Sequence, residues 1–292
     1  MTEVVWVDGT LVDPLAPAVG ALDHGLTVGD GVFETLTVRD GVPFALRRHL
    51  ARLAYSLSRM GLDPVDETRV RSGIAAVMHE RPLDVGRVRI TVTSGVGGAG
   101  VRRGGNPPRI MVTGSAATPV GGSRVVRAPW VRNERSPLTG VKTTSYAENV
   151  LLARFAAEQD ADEVLLLNTR GEVCEAAVSN VFVERSGVVL TPALASGCLP
   201  GITRGLLLEW GLRAELPIRV ASPGELTAAI CDEAIQGRAH LALSSTTRGL
   251  QSVESLDGHR LSPGPLLTRL AAVFARTATR EIDPAPPRAT AV

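Results

Sequence analysis

Two Asp-Gly dipeptides, each set between runs of strand-forming residues, do most to limit how the N-terminal part of this chain can fold. In VVWVDGTLV, Asp8-Gly9 separates two apolar runs, and in GVFETLTVRDGVPF, Asp40-Gly41 does the same. Asp-Gly tolerates the positive φ of tight turns, so both segments are predicted to be β-hairpins. The period then changes. Leu46, Leu50, Leu53, Leu57 and Met60 fall three or four apart, which predicts a helix ended by Gly61. A second helix is expected from Glu67 to Glu80. RVRITVTSG alternates polar and apolar residues as a half-buried strand should, GVGGAGVRRGGNPP is a loop, and RIMVTG resumes as a strand.

The small, polar and glycine-rich SAATPVGGS, Ser115 to Ser123, reads as a boundary. It gives an N-terminal domain over 1–116, a linker over 117–123 and a C-terminal domain over 124–280. In the second domain RVVRA is a short strand, PWVRNERSPLTG a loop, and Tyr146 to Gln159 a helix. EVLLLN, SNVFVE and GVVL read as strands, with a turn at Arg170-Gly171. LPGITRGLLLEWGL opens a helix after Pro200-Gly201, and HLALSS is another strand. The Pro/Ala-rich segment 281–292 is expected to be a disordered tail. Helices and strands are mixed without regular β-α alternation, so the class is α+β.

Composition excludes several roles. The formal net charge is +1 with no block of like charge, which gives nucleic acid or a membrane surface nothing to recognise. No segment approaches the ~18 apolar residues a bilayer span requires. The N-terminus lacks a basic start followed by an apolar run. Cys174, Cys198 and Cys231 are widely spaced, and the five histidines lack metal-ligand spacing. A cytoplasmic protein without a metal is the expectation.

The chain carries thirty arginines and a single lysine, Lys142. Arginine replaces lysine in a surface ion pair, but its guanidinium stays protonated and cannot form an imine with an aldehyde. A lone lysine is therefore a candidate chemical lysine, set against the bland alternative of an exposed loop residue. Glu175, flanked by Cys174 and Ala176-Ala177, falls between two apolar strands, and a buried carboxylate needs a partner. That partner is either an arginine in a structural ion pair or a protonated pyridine nitrogen. Gly201, Ile202 and Thr203 open a helix, so backbone N–H groups and the Thr203 hydroxyl face its positive end and can take an anion. Reactive lysine, buried carboxylate and anion cradle together match the needs of pyridoxal 5′-phosphate.

These motifs resemble the fold-type IV pyridoxal-phosphate enzymes, the class IV aminotransferases, over about residues 3 to 275. DHGLTVGDGVFETL (Asp23 to Leu36), HLARL (His49 to Leu53), the Lys142 segment, GEVCEAAVSNVF (Gly171 to Phe182), GITR (Gly201 to Arg204) and SSTTRGLQSV (Ser244 to Val253) occur in the family's order. The resemblance implies that Lys142 bonds the cofactor and is catalytic. It implies that Arg52, Ile202, Thr203 and Thr246 hold the phosphate, that Glu175 meets the ring nitrogen, and that Asn180 matches a further cofactor position. Phe33 and Thr247 are implied near the substrate. A D-amino-acid aminotransferase-like architecture follows, with a smaller N-terminal α/β domain, a larger C-terminal domain with a barrel-like sheet, and the site in the cleft between them. Relatives are homodimers whose partner subunit contributes to the pocket.

Family members share removal of a proton beside a substrate imine, by the lysine amine, and then diverge. Branched-chain members carry tyrosines where Ala147 and Val28 stand here, and SGVGGAG (Ser94 to Gly100) resembles the lyases. The expected reaction is therefore that of 4-amino-4-deoxychorismate lyase, giving 4-aminobenzoate and pyruvate for folate synthesis. The alternative is an aminotransferase on branched-chain, D-amino or specialised amines with a 2-keto acid acceptor. A non-catalytic cofactor-binding protein is disfavoured by the retention of Lys142, Glu175 and the phosphate loops together. The two carboxylates of aminodeoxychorismate need cationic contacts; Arg87 and Arg89, sharing one face of their strand, are candidates to supply them, the alternative being that one or both lie on its outer face in surface ion pairs. Ala239-His240 stands where relatives often carry an acidic pair.

Overall fold

A computed structural model describes residues 3–80, 86–117 and 122–286. Two compact units emerge, the first drawn from within Met1–Pro119, Val141–Tyr146 and Glu281–Val292, the second from within Val120–Gly140 and Ala147–Arg280. Positions 118–121 of the expected linker and 287–292 of the expected tail lie outside the described residues.

In the first unit β1 (Val4–Val7) and β2 (Thr10–Val12) form the first hairpin, followed by the single helical turn α1 (His24–Thr27). Next come β3 (Gly31–Arg39) and β4 (Val42–Pro43), then α2 (Leu46–Met60), α3 (Glu67–Glu80), β5 (Arg87–Thr93) and β6 (Arg109–Ser115). The strands make one antiparallel sheet ordered β2-β1-β6-β5-β3-β4. Both expected turns carry the required backbone, with φ of 48° at Asp8 and at Asp40. Helices α2 and α3 bury their apolar stripes on the sheet: Leu50, Leu53, Leu57, Val70, Ile74 and Val77 join Val32, Leu36, Val88, Ile90, Val92, Ile110 and Val112 in one core. Gly61 ends α2 at φ 61°.

Two chain-distant segments complete this unit. Val141–Tyr146 runs beside the start of β3, with Phe33 N–H donating to the Lys142 carbonyl at 2.9 Å and Thr144 N–H to the Gly31 carbonyl at 2.8 Å. In the segment expected to be a tail, the Ile282 carbonyl accepts from Ala45 N–H at 2.8 Å, and Asp283 pairs with Arg47 at 3.0 Å.

The second unit contains β7 (Arg124–Arg132), α4 (Ala147–Glu158), β8 (Glu163–Asn168), β9 (Val173–Ala176), β10 (Asn180–Arg185), β11 (Val188–Thr191) and α5 (Ile202–Arg213). After these come β12 (Ile218–Val220), α6 (Ala229–Ile235), β13 (Ala239–Ser245), β14 (Gly249–Ser252), β15 (Ser255–Leu256), β16 (His259–Arg260) and α7 (Pro265–Arg280). They form two five-stranded sheets, β12-β11-β10-β13-β14 and β16-β15-β7-β8-β9. Both contribute to a shared core, with Val125, Leu165 and Val173 from one and Val181, Val183, Leu190, Leu241 and Leu243 from the other. The α+β class holds.

Among the elements that depart from expectation, which include β9, where Glu175 lies on a strand and not between two, β7 and α7 are the longest. Strand β7 does not stop at Ala128 but continues through Pro129 and Trp130, and its parallel register with β8 shifts between Arg127 and Val131. A bulge lets a strand pass a proline, which has no N–H to give a ladder. Helix α7 has no counterpart among the sequence expectations, although its buried Leu267, Leu270, Phe274 and Ala278 carry helical spacing.

Candidate active site

Within the first unit, β3 supplies two adjacent residues with opposite orientations. Phe33 points to the side that carries Lys142. The lysine Nζ stands 4.3 Å from the Phe33 ring centroid and 5.8 Å from that of Tyr146, and the two rings meet edge to face at 5.1 Å. The Arg89 guanidinium carbon lies 3.8 Å from the same Phe33 centroid. Two cations thus share one aromatic ring, and they are separated by no more than those two distances combined. An ammonium or guanidinium against an aromatic face is attracted by the ring quadrupole, by about 0.5–2 kcal/mol depending on desolvation. Arg87 does lie on the Arg89 face of β5, with buried Val88 between them, but its Nε donates to Ser115 Oγ at 3.2 Å. Only Arg89 joins the cluster around Lys142.

Glu34 points the other way, toward α2. Its Oε1 accepts from Arg52 Nε and its Oε2 from Arg52 Nη2, both at 2.8 Å, while His49 Nδ1 lies 2.7 Å from Oε2. Glu34 is fully buried, with His49 1 % and Arg52 8 % exposed. Burial pushes the Glu34 carboxyl up, but Arg52 and then His49 outweigh it and hold the group at about 2. Burial pushes the His49 ring down from its ordinary value, against the opposing pull of Glu34. Glu34 and His49 fall within the family motifs, but of the three only Arg52 has a role implied by the sequence, and their meeting is decided by the fold.

The second unit gathers the remaining expected residues around one turn. Glu175, on β9, accepts Leu199 N–H at Oε2 (2.9 Å), and Arg132 Nε lies 3.3 Å from its Oε1. Of the two partners open to this carboxylate, an arginine is therefore present. Arg132 also donates through Nη1 to Glu148 at 2.6 Å. Asn180 Nδ2 donates to the Leu199 carbonyl at 2.9 Å, and a Cβ on Gly201 would lie 2.0 Å from Asn180 Oδ1, so only glycine fits this approach. Gly201 then caps α5 without any side-chain bond, leaving the turn of Ile202 and buried Thr203 to present backbone N–H groups. Asn180 pairs in register with Ser244 on β13, and the Ser245–Thr247 turn follows directly on that residue. Ser244 Oγ is buried and has no hydrogen-bond partner among the described residues. Thr246 is half-buried and Thr247 exposed. An orphaned buried hydroxyl, an uncapped helix N-terminus and a glycine forced by close packing together suit an anionic phosphate.

His240 lies apart from this turn. Its Nδ1 bonds to the Ser262 carbonyl at 2.9 Å, near the other end of β13 from Ser245. At ~3.3 Å per residue that strand places it too far away to meet the same ligand.

Residues 31–256 match the family model for amino-transferase class IV. The chain belongs to the class IV aminotransferase family. It shares the fold IV architecture of that family. A Methanocaldococcus jannaschii protein assigned as a branched-chain-amino-acid aminotransferase is 32% identical over 212 residues, covering 70% of this chain and 73% of that protein. The bifunctional aminodeoxychorismate lyase / D-amino acid transaminase of Mycobacterium tuberculosis is 32% identical over 228 residues, covering 70% and 77%. Among solved structures, the PLP-bound form of a hypothetical aminotransferase from Mycobacterium tuberculosis superposes with a TM-score of 0.82 at 27% identity, covering 95% of this chain and 99% of that one.

Proposed function

We propose that this class IV enzyme uses pyridoxal 5′-phosphate and cleaves 4-amino-4-deoxychorismate to 4-aminobenzoate and pyruvate. The observation that carries the reading is the cluster of Lys142, Phe33, Tyr146 and Arg89: a reactive amine beside an aromatic wall and an exposed guanidinium. Such a wall suits a flat, unsaturated ring, and the guanidinium suits a carboxylate. The cofactor, when bound, supplies a cationic ring that accepts electron density from a deprotonated carbon.

Lys142 anchors the cofactor and afterwards removes and carries the proton from the substrate carbon that bears nitrogen. Glu175, fixed by Leu199 N–H and accompanied by Arg132, would meet the ring nitrogen and supply it with negative charge. Arg52, the N–H groups of Ile202 and Thr203, and the Thr246 hydroxyl take the phosphate, while Asn180 shapes the Leu199–Gly201 turn that presents two of them. Arg89 binds a substrate carboxylate, Phe33 its ring, and Thr247 a polar substituent. The lyase activity of the Mycobacterium tuberculosis relative supports the choice of substrate.

Transamination of an amino acid is the second reading, supported by the aminotransferase names of the relatives. Purified protein incubated with aminodeoxychorismate is expected to release 4-aminobenzoate and pyruvate in equal amounts. If a 2-keto acid is instead required and converted to its amino acid, the lyase reading is wrong.

A second copy of the chain is the proposed partner. Helix α4 leaves Val150 64% and Leu151 55% exposed, and Trp130, edge to face with Phe155 of the same helix, is 50% exposed. Light scattering at micromolar concentration should give twice the chain mass. Among the described residues no helix is long and apolar enough to cross a membrane.

A further inference from the structure

We infer that Glu34 and His49 are positioning residues that aim the Arg52 guanidinium at the cofactor phosphate. The inference rests on the functional reading above, in which Arg52 is a phosphate ligand.

The geometry runs outward from β3. Alternation along the strand turns Val32, Glu34 and Leu36 toward α2, where Leu50, Leu53 and Leu57 pack against Val32 and Leu36. His49 and Arg52 are three residues apart on α2, so they lie on one helix face, opposite the Glu34 carboxylate. A carboxylate, a histidine and an arginine thus stand inside an apolar layer. Replacing such a group by well-packed hydrophobic residues is often neutral or stabilising, so the triad is poorly explained by stability.

What the triad does accomplish is orientation. Arg52 uses its Nε edge, with Nε and Nη2 both at 2.8 Å from Glu34, which fixes the plane of the guanidinium. The end of the fork, Nη1 and the second Nη2 hydrogen, is then directed away from the carboxylate. His49 fixes the carboxylate in turn. An ionised carboxylate only accepts, so the 2.7 Å contact requires the proton on Nδ1 of the ring. A long, flexible arginine would otherwise lose rotamer freedom on meeting a phosphate. Here most of that loss is already incurred in the folded protein, which is the general route by which preorganisation raises affinity.

The test compares pyridoxal 5′-phosphate with pyridoxal, which differ only in the phosphate. Both are titrated into cofactor-free protein and followed by the cofactor absorbance. Wild-type protein is expected to prefer the phosphorylated form strongly. Glu34→Gln leaves Arg52 in place but removes the charge that orients it. It should weaken pyridoxal 5′-phosphate binding by roughly tenfold to a hundredfold. Pyridoxal affinity should change by less than about threefold. His49→Asn leaves the Arg52–Glu34 fork intact and should produce a smaller loss of the same phosphate-selective kind. Melting curves identify whether each variant is folded, and if Glu34→Gln is not, His49→Asn decides. Folded variants that keep the wild-type preference, or lose both ligands equally, overturn the inference while leaving the functional reading in place. Wild-type protein with no affinity for pyridoxal 5′-phosphate overturns the functional reading itself.

Discussion

Lys142 and Phe33 are joined twice: the Phe33 N–H donates to the Lys142 carbonyl at 2.9 Å, and the lysine Nζ stands 4.3 Å from the Phe33 ring centroid. One residue of β3 therefore fixes both the backbone and the amine of the only lysine in the chain. The ring quadrupole attracts the amine in its protonated form and adds to the backbone bond in placing the side chain.

Borohydride reduction of the enzyme with its cofactor should therefore tag one internal peptide, the one containing Lys142, and mass mapping checks this. Lys142→Ala is expected to lower turnover by at least ~10³-fold, because it removes both the attachment point and the base. A variant retaining a tenth of wild-type activity would rule the lysine out as the base.

Glu175→Gln keeps a group able to meet Leu199 N–H but not the negative charge. Cofactor binding should persist, while proton abstraction slows by roughly tenfold to a thousandfold as the ring loses its charge partner. Substrate deuterated at the carbon bearing nitrogen provides the readout, since its isotope effect should grow in the variant. Equal kinetics in the two proteins would show that the ring nitrogen has another partner.

Arg87 and Arg89 offer a sharper comparison because one strand carries both. Arg89 stacks on Phe33, whereas Arg87 is turned to Ser115. Arg89→Ala should raise KM for a carboxylate-bearing substrate by roughly tenfold to a hundredfold. Arg87→Ala should change KM by less than about threefold. Steady-state kinetics settle the matter, and equal losses would place both side chains at the substrate.

Acid should destabilise the first unit through Glu34. An unfolded chain takes up this proton near 4.5, the folded one only near 2. Between those values the unfolded state holds more protons, so stability falls as pH falls, and the contribution is complete above about 4.5. The loss is on the order of 3 kcal/mol by pH 2. Urea titrations of cofactor-free protein from pH 5 to 2.5 should show a shallower pH dependence in Glu34→Gln than in wild type.

Local chemistry made much of this molecule legible. Helix α2 begins at Leu46 and ends before Gly61, and α3 spans Glu67–Glu80, because apolar spacing and a terminal glycine are short-range properties. The Asp-Gly turns need only their own φ angles. Proline misled, since Pro129 reads as a strand end when the bulge that accommodates it depends on the register with β8. The alternation of Arg87 and Arg89 placed both on one face but left open which of them meets Phe33, because that requires a neighbouring strand.

The amino-acid order by itself determined most of the longer elements, the single lysine and the set of motifs by which the family is known. It did so because periodicity, turn chemistry and residue identity are written within a few positions of one another. Only the folded chain decided that Lys142 runs beside β3, more than a hundred residues earlier, and that Glu34 clasps Arg52 while His49 steadies Glu34. It also decided that Glu175 takes Arg132 and Leu199 as neighbours. Each of these is a pairing between distant segments, fixed when hydrophobic burial brings strands and helices into register, and no local spacing encodes which segments will meet.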